Sequence, residues 1–171
     1  VGTVNYDGPL VVGIDGSQAS IRALRWALRE ARVRAASVYA IMVWQSHAVL
    51  AGPGPLTMHP ELAPHHAREQ RWRDLTSIVR TCLGGESAPE VHAELLEGHP
   101  AEVLADRSMK AAMLVLGDQR HGRVADVVLG STALRCIHKA RCPVLIVPTG
   151  MDIGDIDEEA AENPGLDPVL G

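Results

Sequence analysis

The strongest constraint on the fold is an alternation of five short aliphatic runs with segments of helical periodicity. The runs are Leu10-Val11-Val12-Gly13-Ile14-Asp15, Ser37–Val43, Val91–Leu95, Met113–Gly117 and Pro143–Val147. Several are apolar at successive positions, as in a strand buried on both faces. Between them, apolar residues recur with the spacing of amphipathic helices. In the first such segment Ile21, Leu24, Trp26, Ala27, Leu28 and Ala31 take one side, and Arg22, Arg25, Arg29 and Glu30 the other. Ser17 or Ser20 supplies its cap. In the second, over 61–83, Trp72, Leu75, Ile78, Val79 and Leu83 share a stripe that Gly84-Gly85 ends. A third covers Ala101–Met109 behind Pro100, and a fourth runs from Gly130-Ser131-Thr132 to Ala140. The order βαβαβαβαβ predicts an α/β fold, an open doubly wound parallel sheet of five strands. Right-handed crossovers give the strand order 3-2-1-4-5.

Composition agrees with this architecture. There is no Phe, and the aromatic residues are Tyr6, Tyr39, Trp26, Trp44 and Trp72, so the core is aliphatic. A chain of 171 residues suits one domain. We place it at 1–150. Residues 151–171 hold Asp152, Asp155, Asp157, Glu158, Glu159, Glu162 and Asp167 without a Lys or Arg, and read as a disordered acidic tail. The net charge of -5 therefore sits in the tail, and the rest is near neutral. No basic stripe of the kind that grips a nucleic-acid backbone stands out. Residues 45–60, rich in Pro and Gly, read as a long functional or mobile loop. Cys82, Cys136 and Cys142 form neither a ligand cluster nor an even-numbered disulfide framework. No stretch has the length of a membrane span and no signal peptide is visible. A reducing, cytoplasmic location is expected.

In such sheets ligands bind beyond the carboxyl ends of the strands, where the strand order reverses. Here that is between strands 1 and 4. Asp15-Gly16-Ser17 and the segment from Gly117 to Thr132 meet there. Gly130-Ser131-Thr132 opens a helix, whose free N–H groups bind anions. Arg120, His121 and Arg123 add positive charge. This spacing is compatible with a phosphate cradle and with a capped helix beside a solvated loop. Asp15 suits a ribose or base contact, and equally a turn that binds backbone N–H groups. The segment is neither a Walker loop nor a dinucleotide fingerprint. No catalytic constellation emerges, so no enzyme activity is expected. His59, His65 and His66, near Glu61 and Glu69, match no metal signature and read as solvated surface. Asp118 and Asp126 would reach Mg²⁺ only through a nucleotide. Cys142 is expected to be buried at the start of the last strand. That strand, 143–147, lies at an edge and invites pairing with a second copy, predicting a homodimer.

The residues Val11-Val12-Gly13-Ile14-Asp15-Gly16-Ser17 with Ala23-Leu24-Arg25-Trp26-Ala27 resemble the opening of universal stress proteins of the actinobacterial kind. Glu97-Gly98-His99-Pro100-Ala101, Val115-Leu116-Gly117 through Gly130-Ser131, and Cys142-Pro143-Val144 resemble later segments of that family in the same order. The resemblance implies a flavodoxin-like α/β sandwich that dimerises through its last strand. It also implies ATP, with or without Mg²⁺, as ligand. ATP-binding members carry Gly-x2-Gly-x9-Gly-Ser/Thr. Gly117, Gly130 and Ser131 fill three of those positions, and Arg120 stands at the second glycine. By the same resemblance Asp15 holds the ribose side and Val43 lies against adenine. Leu116 and Gly117 approach by backbone, and Gly130, Ser131 and Thr132 hold phosphates. Arginine lacks the conformational freedom of glycine but keeps its N–H and adds a phosphate-binding guanidinium. The implied function is a non-catalytic nucleotide-binding stress or signalling protein. Its alternative is a member that binds no nucleotide and acts through protein contacts and dimerisation.

Overall fold

The computed structural model of the chain describes residues 5–45, 64–84, 88–118, 129–151 and 153. Its elements are β1 (Leu10–Ile14), α1 (Gln18–Arg34), β2 (Val38–Trp44), α2 (Pro64–Leu83), β3 (Val91–Glu97), α3 (Pro100–Arg107), β4 (Met113–Gly117), α4 (Ser131–Lys139) and β5 (Val144–Val147). The five strands form one parallel sheet in the order β3-β2-β1-β4-β5, as the alternation predicts. Leu10 stands beside Val38 of β2 on one side and Met113 of β4 on the other.

Strand side chains alternate between faces, and this divides the core in two. Leu10, Val12 and Ile14 pack under Ala23, Leu24, Ala27, Leu28 and Ala31 of α1, and under Leu75, Val79 and Cys82 of α2. Val11, Ile41, Leu114 and Leu116 pack under Ala101 and Leu104 of α3, and under Ala133 and Cys136 of α4. Alanines on the buried face of α1 bring that helix close to the sheet. Its carboxyl end turns at Ala35, which sits at φ 51° and lets the Ala36 N–H donate to the Ala31 carbonyl at 2.9 Å. The three cysteines are free thiols. Burial pushes the Cys136 thiol up to about 11.

Four details differ from the sequence reading. Trp72 is 44% exposed, although it shares the apolar spacing of α2. A helix of 20 residues is about 30 Å long, whereas a seven-residue strand spans about 23 Å. The first turns of α2 overhang the sheet, residues 66–73 are exposed, and packing begins at Leu75. The third helix stops at Arg107 and continues as a 3-10 turn over Ser108–Lys110, leaving Met109 exposed. β3 runs two residues further than expected, to Glu97, in register with Trp44. Cys142 is half-buried rather than buried; it precedes an edge strand that pairs, among the described strands, with β4 alone. Among the described residues, no helix is long and apolar enough to cross a membrane. The long loop lies outside the described residues beyond Gln45, as does the tail apart from Met151 and Ile153.

Candidate functional site

At the carboxyl ends of β1 and β4 the sheet opens into a crevice. The starts of α1, α3 and α4 surround it. It holds about 700 Å³ of free space, counting the solvent at its mouth.

One wall is the turn from β1 into α1. Gly16 takes φ +88°, a conformation that side chains resist, with open space around it. The Ser17 N–H donates to Asp15 Oδ1 at 2.9 Å. The Ser20 N–H donates to Ser17 Oγ at 3.2 Å, capping α1, and the Ser20 hydroxyl donates to the Ser17 carbonyl at 2.9 Å. Asp15 is therefore a turn-forming acceptor with an exposed carboxylate at the crevice mouth. Both structural roles read from the sequence, turn and cap, are realised in these four residues.

The opposite wall is the start of α4. Gly130 is its N-cap at φ -57°, ψ 151°, and makes no side-chain cap. Its carbonyl accepts from Leu134 N–H at 3.0 Å. Ser131 and Thr132 follow in the first turn and line the crevice.

The floor is apolar. Ile41 and Val43 come from β2, Pro100 and Leu104 from α3, and Leu116 from β4. Gly13 lets these side chains meet, since a Cβ there would lie 2.8 Å from Leu116 Cδ2 and 3.0 Å from Leu104 Cδ1. The start of α3 is tied to the end of β2. Gly98 N–H donates to the Trp44 carbonyl at 3.0 Å, and the Gln45 amide lies 3.1 Å from His99 Nδ1.

At the exit of β4, Gly117 has no room for a side chain. A Cβ would lie 2.2 Å from the Ala19 carbonyl oxygen in the first turn of α1. Asp118 is buried, its N–H donating to Val147 O at 3.0 Å while its carbonyl accepts from Thr149 Oγ1 at 3.1 Å. The end of β5 thus fixes the point where the chain leaves β4.

Asp15, Val43, Leu116, Gly117, Gly130, Ser131 and Thr132, all expected from the sequence, line this one crevice. Arg120, with His121, Gly122, Arg123 and Asp126, lies outside the described residues, as does His59. His66 is exposed on α2, and no cluster of metal-ligating side chains occurs among the described residues. The sequence reading omitted Gly13, Ile41, Pro100 and Leu104. The two-residue period of β2 puts Ile41 on the face of Val43 and was the available signal for it.

Residues 8–148 match the model of the Universal stress protein family. A universal stress protein of Mycolicibacterium smegmatis is 33% identical over 167 residues, covering 95% of this chain and 53% of that protein. The chain thus spans about half the length of this mycobacterial relative. A universal stress protein of Methanocaldococcus jannaschii is 31% identical over 140 residues, covering 81% of this chain and 80% of the relative. Among solved structures, a universal stress protein family member from Burkholderia pseudomallei superposes with TM-score 0.61 at 27% identity. It covers 84% of this chain and 97% of its own. The universal stress protein of Archaeoglobus fulgidus in complex with dAMP superposes with TM-score 0.51 at 26% identity, covering 81% and 96%. On the family match, the identities and the shared fold, the chain belongs to the universal stress protein family.

Proposed function

We propose that the crevice binds an adenine nucleotide, ATP with Mg²⁺ in the first instance, and that the chain acts without catalysis in stress response or signalling. The observation that carries this reading is the division of the crevice. Ile41, Val43, Pro100, Leu104 and Leu116 offer an apolar slot for a flat base. Asp15 stands at the mouth, placed for ribose hydroxyls. Ser131, Thr132 and the first-turn N–H groups of α4, which Gly130 leaves without a side-chain cap, suit phosphate. The dAMP complex of the Archaeoglobus fulgidus relative supports the same ligand class. The test is calorimetric titration with ATP and Mg²⁺ of native chain and of a variant blocked at the start of α4.

By the resemblance, Arg120 takes the position of the second glycine of the ATP-binding motif. In this reading its Cβ restricts the loop, and Arg120→Gly strengthens ATP binding by about tenfold, or 1.4 kcal/mol. Unchanged or weaker binding in the same titration would show the arginine to be neutral or itself a ligand.

We also infer that β5, which among the described strands pairs with β4 alone, adds the edge strand of a second copy. Val144, Leu145 and Ile146 are half-buried along it. Light scattering is then expected to give a molar mass near twice the 18.3 kDa of the chain. A mass of one chain at high micromolar concentration would overturn the dimer.

A further inference from the structure

Two polar side chains stand where the apolar slot of the crevice ends. Val43 on β2 and Pro100 at the start of α3 both line the slot. Gln45 follows Val43 by two residues, which keeps it on the same side of the chain. His99 precedes Pro100 as the N-cap of α3, and its side chain makes no cap bond with the helix. It meets Gln45 instead, with His99 Nδ1 3.1 Å from Gln45 Nε2. Beside them the Gly98 N–H donates to the Trp44 carbonyl at 3.0 Å and holds the two segments together. Gln45 and His99 are both exposed, so the bond between them adds little to the fold.

The chemistry of this pair has a direction. An amide nitrogen only donates, so with Gln45 Nε2 facing it His99 Nδ1 is the acceptor, and the ring proton sits on the other nitrogen. An unrestrained glutamine amide can turn over and match a donor or an acceptor alike. His99 removes that choice, because a turned amide would set Oε1 against a second acceptor. The amide nitrogen is thus held on the side of His99, and Oε1 is the atom offered on the other side.

In the nucleotide reading, Asp15 and the start of α4 take the ribose and phosphate on the side of β1 and β4, and the base extends toward β2. A purine is joined to its sugar through the five-membered ring. Its six-membered ring, with the 6-substituent, is therefore the end that reaches past Val43. Glutamine recognises adenine by this kind of pairing, its carbonyl accepting from the 6-amino group.

We propose that Gln45 is a specificity-determining residue of the crevice, accepting from the 6-amino group of the base through Oε1, and that His99 is the positioning residue that fixes its amide. The site then selects a 6-amino purine over a 6-oxo purine, whose oxygen would face Oε1 as a second acceptor. The inference rests on the adenine-nucleotide reading and adds the residues that tell one base from another.

Calorimetric titration of the full chain with ATP and with inosine triphosphate, each with Mg²⁺, tests it. Inosine triphosphate carries a 6-oxygen in place of the amino group. The native chain is expected to bind ATP about tenfold more tightly. Gln45→Leu should bring the two within about twofold, chiefly by weakening ATP. Gln45→Glu should keep the preference, because a carboxylate only accepts. His99→Leu should also narrow the gap, but by strengthening inosine triphosphate, since the freed amide can then turn its nitrogen to the 6-oxygen. A merely structural role for either residue would weaken both nucleotides alike and leave their ratio unchanged, and that result would overturn the proposal. Equal affinity of the native chain for the two nucleotides would overturn it as well, with the nucleotide reading left standing. Binding of neither nucleotide would overturn that reading, and this inference with it.

Discussion

Gly130→Asp is expected to abolish nucleotide binding while leaving the fold intact. Gly130 holds φ -57° and ψ 151°, which any L-residue adopts, so the backbone tolerates the change. Aspartate is among the preferred N-cap residues, and α4 lacks a side-chain cap, so the helix should gain about 0.5–1 kcal/mol. The same carboxylate occupies the N–H groups that would hold phosphate and repels the phosphate charge. Affinity is expected to fall at least 100-fold, about 2.7 kcal/mol. The far-UV circular dichroism should be unchanged and Tm equal or higher. A structural role for Gly130 alone predicts the opposite pattern, with lost stability and preserved binding. Titration and thermal melts on one preparation separate the two.

Gly117→Ala is expected to cost about 3 kcal/mol, at the upper end of overpacking effects, and to lower Tm by about 6–12 °C. The new Cβ would lie 2.2 Å from the carbonyl oxygen, 2.3 Å from the carbonyl carbon and 2.8 Å from the Cβ of Ala19. These are mostly backbone atoms of a helix start held by the Ser17 and Ser20 hydrogen bonds, so they cannot swing aside. Gly13→Ala is the control. Its Cβ would meet the ends of Leu104 and Leu116, side chains that can repack. Its cost should stay below about 1.5 kcal/mol. Denaturant unfolding of both variants checks the difference. Equal costs would mean that α1 does not approach β4 as closely as described.

Gly117 answers to packing as well as to the motif. In the resemblance this glycine is a point of backbone approach to the nucleotide. In the structure its missing side chain is already required by the contact between β4 and α1, with or without a ligand. A motif position can thus be fixed by packing and also line a site. The spacing of Gly117, Gly130 and Ser131 alone does not distinguish the two causes.

The fold was legible because the two periods, of strand and helix, change over sharply at Gly16, Gly84, Gly98 and Gly130. Topological rules then leave one simple order for the strands. The polar half of the crevice was legible for a related reason. Asp15, Ser17, Gly130, Ser131 and Thr132 sit where strands end or helices begin, and their residue types mark those junctions. The apolar half was harder to read. Ile41, Pro100 and Leu104 are ordinary core residues in sequence and become crevice lining only when β2 and α3 converge beside β1. Trp72 misled because periodicity reports which side of a helix is apolar, not how far the underlying sheet extends.

The most direct test of the nucleotide-binding reading is a calorimetric titration of the native chain with ATP and Mg²⁺, after mass spectrometry has established that the preparation carries no nucleotide. The expected result is one saturable site per chain with a micromolar dissociation constant. No binding heat at any accessible concentration, from a preparation that also brought no nucleotide with it, would contradict the reading and leave the crevice as an inherited feature of a protein that works through its protein contacts.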